Sequence, residues 1–347
     1  MRIFNSNFKI IGQISFVIIF LYTTSANSLD KFNKADRISN YFSGILLLNN
    51  NQYDDSFNSF KKLNGLEISH ENYSKKFLYS LVNSGNLKEA FNYSKKLERK
   101  KLDIFESDLI MGIYYLKELN LDLAQKYFLK AKSRNSKFIL NNYVSKSLFN
   151  WSTFGNINLK QATIEIEKLD KRFENLKKIQ NVFLNCYYNS YDTNYLFEEL
   201  TSDTKIDFSR YNYFYALFVS TSGKNDKAKE IVESALKLYP RNLLLNQLKI
   251  DLNKGNYSPD FNCKNIGHVI SEILYITSNA LSSQFIYPLS NFYLNLAKYL
   301  NEEFHSYNTL LAENFYNTEN LKKSKNIYND LSKKGKAFNW YASKQLS

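Results

Sequence analysis

Ser56, Ala90 and Ala124 occupy one recurring slot, each 34 residues from the next. A period of that length restricts the chain to stacked supersecondary units, each burying an apolar face against its neighbours. The residues around the slot identify the unit. Met111-Gly112-Ile113-Tyr114-Tyr115 is followed by Ala124, Phe128 and Ala131. Gly112 lets a second helix approach closely, Tyr115 fills the gap between helices, and the two alanines leave room for the next pair. An earlier copy carries Gly44, Ser56, Phe60 and Leu63; the copy between them carries Leu78, Leu81, Ala90 and Leu97, and so lacks the glycine.

This Gly-x-x-Tyr…Ala-x-x-x-Phe framework resembles the tetratricopeptide repeat, and in particular exported bacterial proteins of that kind. The resemblance implies an all-α solenoid, a right-handed superhelix of helical hairpins. Further copies are marked by Gly155 and Ala162, with Trp151 in the tyrosine position, by a degenerate hairpin over Leu176 to Thr201, and by Gly223 to Pro240. Ser290 and Ser324 restore the stride for two more. The expected organisation is a leader over 1–28, about six hairpins and a lone helix over 29–252, a loop over 253–264, and further hairpins over 265–347. A helix opening at Phe338-Asn339-Trp340-Tyr341 would leave apolar surface uncovered, so the array is expected to continue beyond residue 347.

Composition sets limits on this reading. Only three prolines occur in 347 residues, and Pro240 and Pro288 fall at expected helix ends, where a missing N–H is tolerated. No period-2 alternation argues for a sheet. Arg2 and Lys9 precede an apolar stretch from Ile10 to Tyr22, with small residues at Ala26-Asn27-Ser28, the pattern of a secretory signal. The expected location is the periplasm, an uncleaved inner-membrane anchor being the alternative. Of the net charge of +13, Arg2 and Lys9 supply two, leaving +11 on a chain cleaved after Ser28. The lysines are scattered through the repeats with no basic stripe, which argues against nucleic acid and leaves codon bias or weak association with an anionic surface as explanations.

Site chemistry is sparse. His70, His268 and His305 are far apart in sequence. Glu302-x-x-His305 resembles half of a di-iron carboxylate site but has no second pair, so no catalytic residue, metal or cofactor is expected, and no small-molecule substrate. Cys186 and Cys263 would sit about two hairpins apart in a regular stack, beyond the roughly 7 Å Cα separation a disulfide spans. Both are expected to be free unless the loop before Lys264 folds back.

In the family resembled, the first helix of each hairpin lines a concave groove. Projecting that phase places Lys75, Tyr79, Asn181, Asn185, Tyr188, Arg210 and Tyr213 on it, a set suited to an extended peptide, amides meeting its backbone and the guanidinium a carboxylate. Asn185 and Arg210 match in kind members of a carboxylate clamp found in some relatives, but Asn181 stands where a lysine is expected. An ordinary solvated groove is the alternative. In the first hairpin Ile38, Tyr41, Ile45 and Leu48 make the projected face apolar, open to a partner helix or covered by Leu29 to Lys34. Two functions follow: a non-enzymatic scaffold or adaptor of the bacterial cell envelope that binds other proteins, or an accessory solenoid of a peptidoglycan- or polysaccharide-related enzyme whose catalytic part lies elsewhere.

Overall fold

The computed structural model describes residues 34–134, 138–203, 206–255 and 258–347; the leader expected over 1–28 lies outside them. The described residues form helices joined by short turns, with no strand among them. The first helix, α1, covers 34–49. It is followed by α2 (Tyr53–Lys61), α3 (Glu71–Asn83), α4 (Leu87–Arg99), α5 (Phe105–Lys117), α6 (Leu121–Ser133), α7 (Ile139–Thr153), α8 (Leu159–Glu167), α9 (Glu174–Tyr187), α10 (Thr193–Ser202), α11 (Ser209–Thr221) and α12 (Asn225–Leu238). Next come α13 (Leu243–Lys254), α14 (Ile266–Ser282), α15 (Tyr287–Leu300), α16 (Ser306–Asn317), α17 (Leu321–Leu331) and α18 (Lys336–Leu346).

The 34-residue slot is the place where the two helices of a hairpin touch most closely. Ser56, Ser290 and Ser324 are buried there, and each donates its hydroxyl to a carbonyl twelve residues earlier, on Gly44, Ser278 and Ala312. The residue four beyond the slot packs over that same carbonyl-bearing position. A Cβ on Gly44 would lie 2.6 Å from the Phe60 ring, and one on Gly112 would lie 2.4 Å from Phe128. In the second copy the same two register positions are Leu78 and Ser94, both buried. A small residue in the phenylalanine position leaves volume for a larger one in the glycine position.

Helix starts and inner turns also repeat. Asn120, Asn158, Asn242, Asn265 and Asn320 each cap a helix, their side chains accepting an N–H from its first turn, so part of the asparagine content is capping chemistry. Asn51, Gly85 and Leu119 lie 34 residues apart at the inner turns, and all have left-handed φ, as do Phe285 and Glu319 in the later hairpins.

The C-terminal hairpins do not simply extend the stack. Helix α15 packs on α3 and α5, and α14 packs on α7, so this pair lies against the first helices of the preceding array. Farther on, α18 returns to α13. Phe338 is therefore buried, beside His305, rather than left exposed, although Trp340 remains open to solvent. The segment before Lys264 does fold back: Cys263 reaches α9 and forms a disulfide with Cys186, at a Cα separation of 6.0 Å. This corrects the expectation of two free thiols, because a connecting loop is not bound by the hairpin spacing that keeps stacked helices apart.

Candidate functional site: the concave face

The concave face is built from α3, α5, α7, α9 and α11, and most of its expected residues turn out to be engaged inside the chain. On α3, Tyr79 is almost fully buried; its hydroxyl donates to Glu106 on α5 at 2.9 Å, and its ring centroid lies 4.9 Å from that of Phe292 on α15. Lys75, one-third exposed, pairs with the same Glu106 carboxylate at 3.1 Å. The Tyr79 hydroxyl is pushed far above its ordinary pKa by burial and by the adjacent carboxylate.

On α11, Arg210 makes the most constrained contact. Its Nε and Nη2 donate to the two oxygens of Glu272 on α14, at 2.7 and 2.8 Å. Nη2 also reaches the Ser306 hydroxyl at 3.2 Å, and the guanidinium lies 3.9 Å from the centroid of the Tyr275 ring. Glu272 is wholly buried. Desolvation disfavours both charges: it raises the Glu272 carboxyl against the opposing pull of Arg210, while the facing carboxylate holds the guanidinium pKa above its usual value. One turn on, Tyr213 donates to Asp260 of the folded-back loop and packs near Phe304. Burial raises Asp260 to about 6, the Tyr213 hydrogen bond opposing the shift.

Asn181, Asn185 and Tyr188 sit apart from these. The Asn185 amide donates to the Asn181 carbonyl within α9, and the Tyr188 hydroxyl donates to the Ile157 carbonyl at 2.7 Å, closing the turn of the preceding hairpin. The seven residues thus occupy three separate surroundings, and the expected open groove is corrected: α14, α15 and the loop before them cover it at Tyr79, Arg210 and Tyr213. The occupying groups, Glu272, Phe292, Phe304 and Asp260, were not among the residues expected. One signal for them was readable, since Glu272 is the lone acidic residue in the apolar α14, and a charge placed so is rarely buried without a partner.

A polar network extends the contact to the start of the array. Asn291 on α15 donates to the Tyr53 hydroxyl at 2.6 Å and accepts from Asn314 at 2.8 Å, while Asn83 on α3 donates to the Pro288 carbonyl at 2.9 Å. At the margin, Lys117 pairs with Glu302 at 3.0 Å. Among the described residues no group of three His, Cys, Asp or Glu could hold a metal ion, and no helix is long and apolar enough to cross a membrane.

Hairpins with size-matched slots on a 34-residue stride define the class: an all-α solenoid of tetratricopeptide type. No protein-family model and no curated protein matches the chain. Among solved structures it is similar to an IFIT1 monomeric mutant with Gppp-AAAA, at 17% identity and a TM-score of 0.27 over 81% of this chain and 65% of that one. Yeast Tom70 is similar at 16% identity and a TM-score of 0.27, over 87% and 69%. Naa15/Naa10 bound to HypK is similar at 12% identity and a TM-score of 0.24, over 89% and 65%. The chain spans less than two thirds of the IFIT1 and Naa15/Naa10 chains it matches, and likenesses of this strength carry no argument about function.

Proposed function

We propose that this chain is a non-enzymatic scaffold of the bacterial cell envelope whose partner is an apolar helix of another protein docking on α1. The supporting observation is the stripe Ile38, Phe42 and Leu46, spaced four residues apart on one helical face and each at least half exposed. The chain's own helices and loop engage the concave face at Tyr79, Arg210 and Tyr213, and i, i+4, i+8 spacing on α1 suits helix-on-helix packing. The Cys186–Cys263 disulfide supports an oxidising compartment, in keeping with the leader read from the sequence.

The test compares the chain starting at Leu29 with its Phe42→Asp/Leu46→Asp variant as bait in envelope extract. A specific partner held by the parent and lost at least tenfold by the variant, at unchanged helicity, is the expected result. Equal retention by both, or recovery of the native chain in the cytoplasmic fraction, overturns the proposal.

A further inference from the structure

A cavity of about 420 Å³ lies between α9, α10, α11 and the folded-back loop. Its inner wall is aromatic, formed by Phe183, Phe197, Phe214 and Phe261, all buried. The Cys186–Cys263 disulfide forms part of the same wall and fixes the loop that closes it. Protein interiors seldom leave voids larger than a water molecule, and this volume falls in the range of roughly 300–1,000 Å³ usual for small-ligand sites. The mouth is polar, with Asn189, Thr221 and Lys264 exposed around it. Lys264 makes no ion pair among the described residues, so its ammonium is available at the rim.

We infer that this cavity binds an anionic amphiphile of single-chain size, its apolar body against the phenylalanines and its acidic head at Lys264. Charge selects the occupant: an aromatic bowl alone accepts any small apolar molecule, whereas one lysine at its lip favours a carboxylate or phosphate head over a cationic one. The disulfide makes the site sensitive to oxidation, because it ties the Cys263 end of the loop to α9, while Tyr213 and Asn301 hold the loop only at Asp260.

Anilinonaphthalene sulfonate, an anionic aromatic fluorophore, serves as the probe on the full oxidised chain. The expected result is saturable enhancement at one site per chain, displaced by decanoate or decyl phosphate and not by decyltrimethylammonium. Whichever of the first two competes better distinguishes a free acid from a phosphorylated lipid as the source of the ligand. Lys264→Glu should weaken binding at least tenfold, and Thr221→Trp, made at an exposed position, should block the mouth without touching the core. Reduction of the disulfide should lower affinity by a similar factor. Absence of saturable binding, equal affinity in Thr221→Trp at unchanged circular dichroism, or equal competition by the cationic amphiphile would overturn the inference.

Discussion

Two kinds of contact hold this molecule together, and they differ in chemistry. Inside α1–α2 and α5–α6 the closest approach sets glycine under phenylalanine, and the same register of α3–α4 carries leucine and serine, both buried. Along the seam where α14, α15 and α16 meet the earlier array, polar and directional contacts recur: Arg210 on Glu272, Asn83 on the Pro288 carbonyl, Asn291 on Tyr53. Volume matching makes a hairpin stable but fits any neighbour with the same slot. Directional polar pairs admit one docking position, since a shifted hairpin would leave buried charge and amides without partners. The seam therefore reads as the part of the structure that selects a single arrangement of the C-terminal hairpins.

The largest effect is expected from breaking the seam at its ion pair. Glu272→Ala leaves Arg210 with the Ser306 hydroxyl and the Tyr275 ring but without its carboxylate, a loss of about 4 kcal/mol by the usual cost of stranding a buried charge. Chemical denaturation read by circular dichroism measures it, and hydrogen exchange should locate the loosening in α14 and α15 before α3–α6. A loss under about 1 kcal/mol would mean that water solvates the pair and that the seam is held by packing alone.

Size matching is tested by an exchange of slots. Gly112→Leu drives a side chain into the Phe128 ring, 2.4 Å from where a first carbon would sit, and should cost about 3 kcal/mol, the upper range for overpacking. Adding Phe128→Ser reproduces the Leu78–Ser94 pair of the neighbouring hairpin and should recover more than half of that loss. Additive destabilisation in the double variant would refute the matching rule, because paired residues in contact are expected to couple.

These two regions were unequally legible in the sequence. The slot is periodic, so Ser56, Ala90, Ala124, Ser290 and Ser324 announce it without any structure. The left-handed inner turn shares the stride but is hidden, since Asn51, Leu119, Phe285 and Glu319 stand in it as well as the glycines Gly85 and Gly223. The seam has no period at all: Asn83 meets Pro288 and Tyr53 meets Asn291 across more than 200 residues. Projecting the groove phase gave Arg210, Tyr79 and Tyr213 as exposed groove residues, whereas the chain's own helices and loop engage them, a contact hinted at only by the lone Glu272 in apolar α14. The cysteines failed for the same reason, their separation having been judged from stacking and not from a loop free to return.

The seam should also respond to pH through Asp260. Its pKa in the folded chain, about 6, lies above the ordinary carboxylate value, so the folded state holds its proton more tightly than the unfolded state. The associated stability is complete below about pH 4 and is lost as pH rises through about 6, to the extent of roughly 1–3 kcal/mol. Asp260→Asn removes the titration and keeps a group able to meet the Tyr213 hydroxyl. The variant should gain on the parent as pH rises from about 4 through about 6, and parallel pH profiles would show that the carboxyl is already solvated.

The smallest effect sharpens the comparison from the hairpin side. Leu119 adopts φ 59° at the inner turn of α5–α6 and is 91% exposed, so it contributes backbone strain and almost no packing. Its counterpart one stride earlier, Gly85, occupies the same left-handed conformation without a side chain to crowd the following carbonyl. Leu119→Gly relieves that strain, offset in part by the greater freedom glycine gives the unfolded chain. A net gain of about 0.5 kcal/mol is expected in denaturant midpoint experiments. The reverse change, Gly85→Leu, should cost about 1 kcal/mol. If Leu119→Gly is destabilising instead, the freedom glycine adds to the unfolded chain outweighs the strain relieved, and the left-handed turn costs the leucine less than about 1 kcal/mol.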